Sequence, residues 1–62
     1  SHLDLGGGVT GGVEVSSPGI LEVYTRGADP CAVMAALVRI CGRLGEEGFK
    51  VGRLSVEAIP LD

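Results

Sequence analysis

Apolar and polar positions fall into a regular order from Val13 onward. Between Val13 and Ser16 they alternate, as in a strand with one sheltered face, and Ser17-Pro18-Gly19 brings strong turn chemistry. Alternation resumes from Ile20 to Thr25, with Leu21, Val23 and Thr25 on one face and Ile20, Glu22 and Tyr24 on the other. Strand, Pro-Gly turn and strand predict a β-hairpin. Arg26-Gly27-Ala28 then leaves the sheet. Asp29-Pro30 marks the start of a helix: the Asp carboxylate accepts from free N–H groups of the first turn, and Pro at the first helical position has no N–H to lose. The helix is expected from Pro30 to about Glu47, with Gly48 able to take the left-handed conformation that ends it. Beyond it, Leu54, Val56 and Ala58 alternate with polar residues, and the parity changes at Gly52-Arg53. Arg53 to Ile59 is read as a third strand, or as part of a longer one with a bulge at Gly52, ended by Pro60.

These elements predict an α/β (α+β) fold: a small two-layer β-β-α-β sandwich, with a three-stranded mixed sheet and one helix on one face. The first two strands pair antiparallel. The second and third run parallel, joined by the helix as a right-handed crossover. At 100° per residue, Ala36, Ile40, Val33, Leu44, Leu37, Cys41, Met34, Val38 and Cys31 fill an apolar arc of about 220°. A helix lying on a sheet needs little more than about 100°. Val33, Leu37, Ile40 and Leu44 supply that much, so Met34, Val38, Cys41 and Cys31 form a second apolar flank that nothing in the chain covers. Ile20 and Tyr24 on the far face of the sheet also lack a second layer. Burying a Val- or Met-sized side chain is worth roughly 1.5–3 kcal/mol. The surplus therefore predicts a partner, most economically a second copy of the same chain, with Met34, Val38, Cys41, Ile20 and Tyr24 as the expected interface.

Composition narrows the class. The chain has 62 residues, 45% hydrophobic and 21% charged, which excludes a disordered chain and leaves room for one small domain. Eleven glycines without a Gly-X-Y period exclude collagen. No apolar run approaches the roughly 18–20 residues of a membrane span. No basic segment with an apolar stretch and a cleavage site is visible, so no signal peptide is read. Residues 1–12 concentrate glycine, the residue that loses most backbone entropy on ordering. They read as a flexible leader, with Ser1-His2 as a cleaved-tag remnant, and residues 13–62 as the single domain, a piece of a larger protein.

Five basic against eight acidic side chains give a formal charge of −3. The scattered Arg26, Arg39, Arg43, Lys50 and Arg53 disfavour nucleic-acid binding, which needs clustered cations. Cys31 and Cys41 fall on one helix about 15 Å apart, too far for a disulfide, and two unpaired thiols point to the cytoplasm. Glu14, Glu22 and Glu57 sit on different strands at spacings that mark no acid–base pair, and His2 is alone, so no metal site and no cofactor are read.

Four short resemblances bear on function. Asp4-Leu5-Gly6-Gly7-Gly8 resembles the phosphate-binding glycine turn of actin-like ATPases, a family whose two large closing domains exceed this chain. Arg26-Gly27 followed by Cys31 at the opening of a helix is similar to TusA-type sulfur carriers, which implies Cys31 as a reactive thiol favoured as thiolate by the helix N-terminus. The family's Cys-Pro-x-Pro motif is replaced here by Asp29-Pro30-Cys31-Ala32. Leu21 to Ile59 resembles the strand–helix–strand half of Alba-type nucleic-acid proteins, without most of their basic residues. The β-α-β order resembles ACT-type regulatory domains, which implies a ligand at the strand-to-helix turn: Arg26, Gly27 and Asp29. The leading expectation is a small non-catalytic oligomerisation or protein-interaction domain, docking through the helix flank or by strand addition at a sheet edge. A ligand-sensing regulatory dimer and a thiol carrier are the alternatives.

Overall fold

Residues 2–59 are described in the computed structural model of the chain. Along them run β1 (Leu3–Asp4), β2 (Val9–Ser17), β3 (Ile20–Gly27), α1 (Pro30–Glu46) and β4 (Val51–Ala58). The strands form one sheet in the order β1-β2-β3-β4, antiparallel except for the parallel β3–β4 pair across which α1 makes the crossover. The helix lies on one face, as the alternation predicts, but the sheet has four strands rather than three.

The fourth strand arises where a leader was expected. β2 starts at Val9, and Leu3 and Asp4 pair with Gly11 and Thr10. The Asp4 Oδ1 accepts from the Gly6 N–H at 2.9 Å, and the Leu5 and Val9 N–H groups close the turn onto Val9 and Gly6 carbonyls. Gly6, Gly7 and Gly8 all have positive φ, so the run of glycine makes a turn that side chains would strain. Leu5 then packs against a core cluster of Val9, Val33 and Ala36, together with Ala32. Ser1 of the expected tag remnant and Pro60 of the expected strand end lie outside the described residues.

Residue types explain the other boundaries. Ser17 pairs with Ile20 around Pro18-Gly19. The Asp29 Oδ1 accepts from the Cys31 N–H at 3.0 Å with Pro30 at the helix start. At the other end Gly48 has φ +85°; its N–H donates to the Gly45 carbonyl and that of Phe49 to Leu44, which is a Schellman closure. β4 runs through Gly52, which bulges: Leu21 pairs with Val51 and Glu22 with Arg53, leaving Gly52 unpaired under the Ile20 side chain.

The core is small. Val9, Val23, Val33, Ala36 and Leu37 are the buried apolar residues, and Thr25 is the buried polar one. The Thr25 hydroxyl donates to the Val33 carbonyl at 3.0 Å, tying the first turns of α1 to β3.

Candidate functional site

The two faces of the sheet differ in kind. Opposite α1, one cross-strand row carries Glu14, Glu22 and Arg53, and another carries Arg26 and Glu57. Arg26 Nε reaches Glu57 Oε1 at 2.9 Å, and Arg53 Nε reaches Glu22 Oε2 at 3.4 Å. Tyr24 and Ser55 lie between these rows, in an open depression of about 370 Å³ that Glu14, Glu22, Arg26 and Glu57 also line. A face of this composition is hydrated, and its exposed Arg26–Glu57 pair is worth at most about 1 kcal/mol.

The helix side carries the apolar surplus. Directly opposed residues share a face, so Leu54, beside buried Val23, and Val56, beside buried Thr25, point toward the helix layer. Yet Leu54 is 58% exposed and Val56 41%. On α1, Val33, Ala36 and Leu37 are buried and Ile40, Cys41 and Leu44 half-buried, while Met34 is 48% and Val38 64% exposed. Ala32 and Ala36 face Leu5 and Val9 at the β1–β2 end. The flank about 180° round the helix from them, with Met34, Val38 and Cys41, therefore lies on the β4 side. Met34, Val38, Leu54 and Val56 thus form one uncovered apolar strip between the helix and the open edge of β4. Beyond Val38 the helix surface opens into a shallow depression of about 530 Å³ lined also by Arg39, Gly42, Arg43 and Glu46, on the charged outer side of α1. Leu3, Val15, Ile20, Phe49 and Ile59 are also exposed, as some apolar residues are on any protein surface.

Backbone geometry adds to the side chains. Among the described residues β4 is the edge strand of the sheet, and its outer row of N–H and C=O groups has no strand beside it. The Ile59 N–H donates to the Gly27 carbonyl, and successive residues of a strand point their backbone groups to opposite sides. The groups of Leu54, Val56 and Ala58 therefore face outward. The outer edge of β2 is less available: β1 covers Thr10 and Gly11, and the register shifts between Val15 and Ser17.

The structure separates the residues named from sequence into two places. Met34, Val38 and Cys41 share the β4-side flank. Ile20 and Tyr24 lie on the polar face, Ile20 over Gly52 and Tyr24 half-buried. Arg26, Gly27 and Asp29 are each engaged within the chain: Arg26 with Glu57, Gly27 as acceptor for Ile59 and against the Gly8 carbonyl, Asp29 as the helix cap. Cys31 is exposed, Cys41 half-buried, and both are free thiols. The alternation places Leu54 and Val56 on a strand without marking them as part of a docking surface. Their signal is topological: a strand reached by a crossover stands at the edge of the described sheet.

Among the described residues no cluster of three His, Cys, Asp or Glu side chains can hold a metal ion, and no helix is long and apolar enough to cross a membrane. Comparison with protein-family models, with curated proteins and with solved structures finds no match for this chain.

Proposed function

We propose that this chain is a small, non-catalytic protein-interaction domain that docks through the strip formed by Met34, Val38, Leu54 and Val56 and the open edge of β4. The observation that carries this is the coincidence of two uncovered surfaces. The exposed apolar flank of the helix lies beside the strand edge with free backbone groups. Long open edges with apolar side chains are what natural proteins otherwise blunt with charge, proline or a covering element. An apolar strip together with unpaired strand groups is the recognition chemistry of strand addition. The two thiols and the lack of a disulfide accord with a cytoplasmic setting.

The test is solution mass by light scattering at micromolar concentration, for the wild type and for Met34→Lys. The expected result is a mass above one chain for the wild type and the single-chain mass for Met34→Lys, with the same far-UV circular dichroism. Single-chain mass for both, with unchanged melting, overturns the proposal.

A further inference from the structure

We infer that the occupant of this strip is a second copy of the chain, paired antiparallel along β4 about a two-fold axis through Ser55. The two-fold pairing presupposes the docking surface proposed above and gives it a partner and a register. β4 carries Arg53-Leu54-Ser55-Val56-Glu57, which is chemically self-complementary about its centre. With Ser55 on the axis, Arg53 lies opposite the partner's Glu57 and Leu54 opposite the partner's Val56, and symmetry repeats both pairs. The backbone permits this. Ser55 directs its own N–H and C=O toward β3, so it forms the close pair without hydrogen bonds. The outward groups of Leu54 and Val56 are then aligned to exchange hydrogen bonds with the partner's Val56 and the partner's Leu54.

Charge selects this register over its neighbours. Both helices stay on one face only when the axis passes through a residue position. An axis through Arg53 sets two guanidinium groups against each other, and one through Glu57 sets two carboxylates together. An axis through Leu54 or Val56 brings no opposite charges into register. The Ser55 axis also extends pairs that already exist: Glu22 meets Arg53 at 3.4 Å, and Glu57 meets Arg26 at 2.9 Å. From Glu22 onward the row would run Glu22, Arg53, the partner's Glu57, the partner's Arg26, alternating in sign across the new interface. On the other face, Leu54 and Val56 come under both helices, and the Met34–Val38 flanks meet across the axis. Two four-stranded sheets become one, and neither copy keeps its β4 edge open.

The test is a charge-reversal exchange read by analytical ultracentrifugation. Arg53→Glu alone sets carboxylates opposite one another at the interface, and Glu57→Arg alone sets guanidinium groups opposite one another. Like charges facing across paired strands oppose association, so each variant should self-associate about tenfold or more weakly than the wild type. Mixed in equal amounts, the two have matched charges at both positions and should form a mixed dimer. Both substituted side chains are more than half exposed, so circular dichroism should show both variants folded. A wild type that dimerises and responds to Met34→Lys, with a mixture that stays monomeric, overturns the Ser55 register and leaves the docking surface standing. A wild type that is monomeric and unaffected by Met34→Lys overturns both.

Discussion

Gly27→Ala tests the packing that sets the helix against the sheet. Gly27 is buried at the end of β3, and a Cβ there would lie 2.8 Å from the Gly8 carbonyl oxygen and 3.0 Å from a Val33 methyl. The oxygen belongs to the β1–β2 turn and the methyl to the core, so neither is a flexible side-chain end. Overpacking of this kind costs about 1–3 kcal/mol. Alanine also stiffens the unfolded chain, and since Gly27 does not have positive φ, that recovers about 0.4–1 kcal/mol. Two fixed contacts at 3.0 Å or less put that cost in the upper half of its range, so the net loss is about 1–2.5 kcal/mol. For a domain of this length, total stability is about 3–9 kcal/mol, and the loss lowers Tm by about 5–20 °C. Gly42→Ala is the control, because Gly42 is exposed in mid-helix with open space around it. There the same substitution should stabilise by about 1 kcal/mol. Urea unfolding followed by circular dichroism reads both variants, at one protein concentration so that association contributes equally. Gly27→Ala as stable as the wild type would refute the close approach of the turn to Val33.

Two further substitutions isolate single contacts. Thr25→Val keeps the shape but removes the hydroxyl that donates to the Val33 carbonyl; urea unfolding should show a loss of about 0.5–1.5 kcal/mol, and no loss would mean that bond contributes nothing net. Asp29→Ala removes the helix cap on the Cys31 N–H and should cost about 1 kcal/mol, with faster amide exchange confined to the first turn of α1; unchanged exchange there would refute the cap.

The helix, its cap and its stop were legible because each rests on a local rule: Asp29-Pro30 at one end, Gly48 at the other, and the 3.6-residue period between. The bulge was legible in the parity change at Gly52. The N-terminal strand was not. Counting glycine as entropy made residues 1–12 a leader, whereas three of those glycines form a left-handed turn and Gly11 leaves room for Leu5 against the sheet. What glycine does there depends on a neighbour distant in sequence, since a Cβ at Gly11 would run into the Tyr24 carbonyl oxygen. Composition carries no trace of such an approach.

The surplus of apolar residues on α1 was visible on the helical wheel, but its direction was not, because a wheel cannot say which flank faces which strand. That depends on strand order. A crossover helix between parallel neighbours packs back onto the sheet across both, here β3 and β4. At the opposite end of the sheet, Leu5 and Ala32 close the corner. On the β4 side no other described element covers the strand, and Leu54 and Val56 are about half exposed, each leaving about 1 kcal/mol of burial unrealised. The far face needs no second layer, since its ion pairs and hydroxyl groups are satisfied in contact with water. The missing cover is therefore local: one strand beyond β4, apolar toward the helix and charged on the other face. β4 has that pattern itself, and reversing its direction about Ser55 places each charge opposite its complement.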